Sequence, residues 1–245
     1  MKLTFYGGVQ GAIGGNCIFV TREKNSKSFG FLFDCGIGIQ DYKYFNMVKC
    51  PLEDLDALVR WGVRPSAFFE DIKTTGLKAC FISHAHTDHW HALPAVINSM
   101  LVHERPAVWT SETTAALIKC KGKRGKSLSV TKTVFYSDPF SKNYYLDKES
   151  GVKACLFPVD HSIAGASAVI LDSDEGVIVY TGDFRNHGLL SNDLPEQFWQ
   201  YAKRVARGKL TLICEGTNYG PPVNTKTESD IQSDFLRHVE AAKGR

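Results

Sequence analysis

Three histidines and an aspartate fall within six residues at His84-Ala85-His86-Thr87-Asp88-His89. The stretch follows a short apolar run, Ala79-Cys80-Phe81-Ile82, that reads as a buried strand, and Thr87-Asp88 reads as the start of a helix. The donor groups therefore sit on a strand-to-helix turn. An extended segment would put His84 and His86 on one face, and the turn would aim Asp88 and His89 at a second position nearby. Imidazole and carboxylate together suit zinc, and also manganese or iron. The spacing is His-x-His-x-Asp-His and differs from the His-Glu-x-x-His helix of a metalloprotease.

Other donors stand at the ends of other apolar runs. Phe29 to Phe33 reads as a strand closed by Asp34-Cys35-Gly36. From spacing alone, Asp34 either caps the next turn or orients a histidine ligand from behind. Val152 to Pro158 leads into Val159-Asp160-His161-Ser162-Ile163-Ala164-Gly165-Ala166, and Gly176 to Tyr180 leads into Thr181-Gly182-Asp183-Phe184-Arg185. Each presents a candidate ligand just beyond a strand, as expected if strand ends converge on one site. Gly-Asp after a strand is also a common turn. Residues 2 to 6 and 16 to 20 read as paired strands joined by a glycine-rich loop that lacks the Lys-Ser/Thr ending of a P-loop. Pro51 to Val59 and Pro65 to Asp71 read as short helices, and a further helix carries Ala92, Leu93, Ala95, Val96 and Met100 on its apolar face. Trp90 and His91 read as first-turn surface positions, with contact to substrate the alternative.

The motif and its companions resemble the metallo-β-lactamase superfamily over roughly residues 3 to 215. That resemblance implies an α/β fold, a four-layer αββα sandwich of two mixed sheets, with metals at one edge. It implies that His84, His86 and His161 hold one divalent ion, that Asp88 and His89 hold a second, and that Asp183 bridges both. Zinc is the expected metal. Asp88 and Asp183 would be the catalytic carboxylates, and the resemblance moves Asp34 towards a role behind the ligands and the glycine-rich loop to the mouth of the site.

Leu210 to Cys214 is another apolar strand, closed by Glu215-Gly216-Thr217. An exposed turn glutamate would look the same. With Asp160-His161-Ser162-Ile163 and Thr181-Gly182-Asp183-Phe184-Arg185, however, it resembles the RNA- and DNA-processing β-CASP branch, whose members include ribonuclease J and the endonuclease of messenger-RNA 3′-end processing. Residues 1–220 then form the lactamase-like domain. Residues 221–245, a loop and a polar helix from about Thr227 to Ala242, stand where that branch opens an inserted domain. The branch also takes a later histidine as a ligand, and only His187 and His238 follow Asp183 here. The expectation is that a longer chain or a partner subunit completes the site, or that its second half is incomplete.

Composition limits the alternatives. Over 245 residues the chain is 43% hydrophobic and 22% charged with a net charge of +3, ordinary for a globular protein and too small to argue for nucleic acid by itself. Apolar runs fall short of the roughly 18 residues of a membrane span. Seven cysteines, an odd number without a Cys-x-x-Cys pair, suggest a reducing, cytoplasmic setting. The run Lys119 to Lys126 places five positive charges in eight residues. Lys121, Lys123, Arg124 and Lys126 in it are either a solvated loop or contacts to a phosphate backbone.

Nothing in the chain resembles a serine or cysteine nucleophile with its base. The expected reaction is hydrolysis by a dinuclear-metal-activated hydroxide, with single-stranded RNA the leading substrate. The same donors would serve a small ester, thioester, lactam or phosphodiester, and a metal-bound module that binds RNA or protein without catalysis is the third reading.

Overall fold

Along the central strands both alternating sets of side chains are apolar, the pattern of strands covered on two faces. The computed structural model describes residues 1–9, 13–41, 43, 55–121, 132–134, 144–186, 188, 194–206, 208–217 and 226–243. The first sheet has six strands in the order β1 (Lys2–Gly7), β2 (Cys17–Lys24), β3 (Lys27–Phe33), β4 (Leu77–Phe81), β5 (Ala107–Ser111) and β6 (Lys132–Val134). Its first three strands run antiparallel, and β3 to β6 run parallel. The second sheet has five strands in the order β11 (Leu210–Ile213), β10 (Gly176–Tyr180), β9 (Ser167–Ser173), β8 (Val152–Pro158) and β7 (Tyr144–Asp147). It is antiparallel except for the β10–β11 pair.

Side-chain alternation sorts the residues into layers. Phe29, Phe31 and Phe33, with Ile18, Val20 and Phe81, face Ala154, Leu156, Val169, Leu171, Ile178 and Tyr180 across the gap between sheets. The odd-numbered phenylalanines of β3 thus fill the centre, where Phe33 lies flat on Tyr180 with ring centroids 5.4 Å apart. The opposite face of the first sheet, through Cys17, Phe19 and Leu32, packs under helices. These are α1 (Leu55–Arg60), α2 (Ser66–Thr75), α3 (Thr87–Trp90), α4 (Leu93–Asn98) and α5 (Glu112–Lys121), which contribute Leu58, Phe68, Ile72, Trp90, Leu93, Val96 and Ile118. The outer face of the second sheet, through Cys155, Phe157, Ile170 and Val179, is covered by Phe198, Tyr201 and Ala202 of α6 (Leu194–Val205). Helix, sheet, sheet and helix are the four layers expected. A last helix, α7 (Glu228–Ala241), opens on a capping box between Thr227 and Asp230 and has no buried residue.

Local details differ from the sequence reading. The segment after the histidine motif forms two short helices, α3 and α4, because Pro94 starts a new first turn at Leu93. Trp90 is buried, with its indole N–H 3.3 Å from the Ala85 carbonyl, and is a packing residue where a surface position was expected. Among the described residues no helix is long and apolar enough to cross a membrane. The described cysteines are free thiols.

The contact between sheets gives a direct test. Phe33→Ala removes a ring that packs on both Phe81 and Tyr180. It should lower the free energy of unfolding by about 3–5 kcal/mol in urea denaturation.

Candidate metal centre

Parallel strands place their carboxyl ends on one edge, and six strand ends carry the polar groups of this edge. Asp34 follows β3, Ser83 and His84 follow β4, and Ser111 ends β5. From the second sheet, His161 follows β8, Asp183 follows β10 and Glu215 follows β11. The sheets are tied at this point by the Ser167 N–H, which donates to the Ser83 carbonyl at 2.9 Å.

His84, His86 and His161 come together. His86 Nδ1 lies 3.0 Å from His84 Nε2 and 3.3 Å from His161 Nε2. A second cluster combines His84, His89 and Asp183, and in both clusters the donor atoms lie within 4.8 Å of one another. Asp183 Oδ2 is 3.4 Å from His89 Nε2, 3.8 Å from His161 Nε2 and 4.0 Å from His84 Nε2. That carboxylate therefore stands between the two groups of imidazoles. Asp88 sits in the first turn of α3 with Oδ2 3.7 Å from His89 Nε2, one step outside the tighter cluster.

Behind these donors lies a buried carboxylate. Asp34 is 1% exposed and meets four donors. Its Oδ1 accepts the Ser83 main-chain N–H at 2.7 Å. Its Oδ2 accepts the Ser83 hydroxyl, the Tyr180 hydroxyl and His89 Nδ1–H, each at 2.7 Å. The Ser83 hydroxyl in turn lies 3.0 Å from His84 Nδ1. The consistent assignment protonates Nδ1 of both His84 and His89 and leaves both Nε2 lone pairs facing the cluster. Ring orientation set from behind in this way is the usual support of a metal-ligating histidine.

Burial works against charge on His89, but the Asp34 carboxylate, followed by Asp183, lifts its imidazole to about 10. Without a cation the neighbouring carboxylates favour a second proton on His89 Nε2, so proton and metal compete for that position. Burial pushes His161 down, and His86 and His89 add to this against the pull of Asp183. Burial pushes Asp183 up, yet His89, His161 and His86 outweigh it and hold the carboxyl below its ordinary value. Imidazole lone pairs turned towards one another, with a carboxylate between them, are a donor set that a zinc-type divalent cation fits.

Backbone geometry keeps the donors in place. Asp34 has a left-handed backbone (φ 52°), with its N–H bonded to the Phe81 carbonyl. The chain then passes so close under α3 that a Cβ on Gly36 would strike the Asp88 carbonyl. Gly15 N–H and Cys35 N–H donate to the carbonyls of Asp88 and His89, at 3.0 and 2.8 Å. Buried Arg64 donates to the Gly15 and Gly36 carbonyls and ties the two loops together. Glu215 accepts the Phe184 N–H at 3.1 Å and so braces the turn that carries Asp183.

Asn16, Ser83 and Tyr180 are polar members of the site that the sequence reading did not assign. The Asn16 amide lies 3.3 Å from His89 Nε2. Serine beside the first histidine and tyrosine three residues before Asp183 were the available signals, but neither pairing is readable before β3, β4 and β10 meet. Lys123, Arg124, Lys126 and His187 lie outside the described residues, as does the side chain of Lys121, which closes α5. His238 is exposed on α7, with Nδ1 2.7 Å from the Asp234 carbonyl.

The cluster opens into a cleft of about 1100 Å³. One end holds His86, Asp88, His89, His161, Asp183 and Glu215; the walls carry Phe5, Val9, Ile13, Ile39 and Leu212, all more than a third exposed. Among the described residues no lysine or arginine lines it.

Replacing Asp34 tests the support. Asp34→Ala leaves buried donors without partners, at about 1–3 kcal/mol each. Asp34→Asn keeps the shape but turns an N–H₂ towards some of those donors, and should weaken zinc binding by about 10–100-fold in a chelator competition.

No family model matches the chain. It is 26% identical over 248 residues to ribonuclease J of Mycoplasma pneumoniae, covering 100% of this chain and 38% of that protein. It is 28% identical over 174 residues to ribonuclease J of Thermus thermophilus, covering 69% of this chain and 29% of that one. The chain thus spans less than two-fifths of the length of these curated relatives. Among solved structures it superposes on a protein of unknown function from Enterococcus faecalis V583 with a TM-score of 0.67 at 20% identity, over 98% of this chain and 57% of the other. It also superposes on a metallo-β-lactamase with a HARLDQ motif from Cronobacter sakazakii, with a TM-score of 0.50 at 14% identity over 94% of this chain and 74% of that one. The chain has the metallo-β-lactamase fold and is a distant relative, along its whole length, of the N-terminal portion of ribonuclease J.

Proposed function

We propose that this chain is the metal-binding portion of a hydrolase that cleaves RNA phosphodiester bonds. The observation that carries the reading is the convergence of His84, His86, His89, His161 and Asp183 at one sheet edge, in a chain whose full length resembles ribonuclease J. His84, His86 and His161 would hold one divalent ion and Asp88 with His89 a second, with Asp183 between them. Bound divalent cations would supply water activated near neutral pH and neutralise charge on phosphoryl oxygens. The chain's own residues do the positioning. Asp34 holds His89 directly and His84 through Ser83, Glu215 braces the Asp183 turn, and the Gly15 and Cys35 amides fix the main chain of Asp88 and His89.

The cleft wall favours a second reading. Exposed Phe5, Val9, Ile13, Ile39 and Leu212, with no lining cation among the described residues, suit the apolar part of a small ester or thioester better than a phosphate backbone.

The deciding experiment incubates the full chain, with and without zinc or manganese, with labelled single-stranded RNA and with a chromogenic ester and thioester. The expected result is metal-dependent RNA cleavage, lost by at least about 10²-fold in Asp183→Ala. Turnover of the ester or thioester alone would replace RNA with a small substrate. Metal uptake without any turnover would leave a binding module.

A further inference from the structure

Arg185 joins the two loops that deliver His161 and Asp183 to a third element. Its main-chain N–H donates to the Asp160 carbonyl at 2.8 Å, and its Nε donates to Asp160 Oδ1 at 3.1 Å. Asp160 precedes His161 in sequence and is 5% exposed, so this pair is largely sheltered from solvent. The rest of the guanidinium turns the other way. Nη1 and Nη2 reach the two carboxylate oxygens of Glu228, the second at 3.2 Å, in a bidentate pair with the first residue of α7. Gly188 closes over the arrangement so tightly that a Cβ there would strike Asp160 Oδ2 and Arg185 Nε. The fork of arginine, which lysine lacks, lets one side chain serve two carboxylates at once.

We propose that Asp160, Arg185 and Glu228 form a clamp in which Arg185 is a positioning residue: it fixes the spacing of His161 and Asp183 and makes that spacing depend on where α7 is held. This rests on reading His161 and Asp183 as metal ligands. Two features support it. None of the residues of α7 is buried, so packing does little to hold the helix and the ion pair at its first turn gains weight. The two joined loops also bring ligands to both donor clusters, His161 to one and Asp183 to the other. A shift of α7, imposed by whatever binds it, would therefore be felt at both.

The test measures zinc affinity of the full chain by competition with a chromophoric chelator, and the visible absorption of the cobalt-substituted protein. Circular dichroism and thermal unfolding are recorded in parallel. Arg185→Gln should weaken zinc binding by about 10–100-fold, the usual effect of losing a group that orients metal ligands. Arg185→Lys should restore only part of this, and Glu228→Gln should shift affinity and the cobalt spectrum the same way by less. Gly188→Ala should reproduce the loss with no change of charge. If Arg185→Gln does not fold, Glu228→Gln decides, because its site is on an exposed helix. Unchanged affinity and spectrum in folded Glu228→Gln and Gly188→Ala, with zinc binding intact in the parent chain, would overturn the clamp alone. A parent chain that takes up no zinc would overturn the metal reading and the clamp with it.

Discussion

The carboxylate of Asp34 sits where three strands from two sheets meet, and most of the polar edge depends on it. Its four donors come from Ser83 beyond β4, His89 on α3 and Tyr180 at the end of β10. A buried acceptor with so many partners is costly to disturb, since each orphaned donor would bear its full desolvation penalty. The same bonds that hold the sheets in register also choose the tautomers of His84 and His89. Stability and the geometry of the donor side chains are thus consequences of one network. The left-handed backbone at Asp34 and the absence of a Cβ at Gly36 let the chain reach this point and leave it beneath α3.

Around that network the electrostatics separate into a sheltered side and an open side. Asp34, His84 and His89 are almost fully buried, whereas His161 and Asp183 keep a sixth to a quarter of their side-chain surface in contact with the cleft. Donor side chains on the sheltered side are fixed by hydrogen bonds from behind. Those on the open side come from loops and need bracing of their own, which Glu215 and the Asp160–Arg185 pair provide.

The cleft combines a strongly polar end with an apolar wall, and the two ends make different demands on a substrate. Divalent ions held by the imidazoles and Asp183 would favour an anionic or strongly polarised group. The wall of Phe5, Val9, Ile13, Ile39 and Leu212 would favour an apolar one, or a flat one able to cover it.

Much of this was legible in the chain before any coordinates. Continuous apolar runs in Phe29 to Phe33, Val152 to Pro158 and Gly176 to Tyr180 read as strands buried on both faces, and donors just past their ends mark one functional edge. Those signals are local, so sequence carries them. The partners of Asp34 are not local: Ser83 is 49 residues away, His89 is 55 and Tyr180 is 146. Nor does periodicity reveal that Trp90 is buried, that the described part of the cleft wall lacks cations, or that Arg185 reaches both Asp160 and Glu228. The sequence alone determined which residue types arrive at the edge, because strand length and alternation are properties of neighbours in the chain. Only the tertiary structure decided which of them touch, because strand order and the stacking of two sheets set distances between residues far apart in sequence.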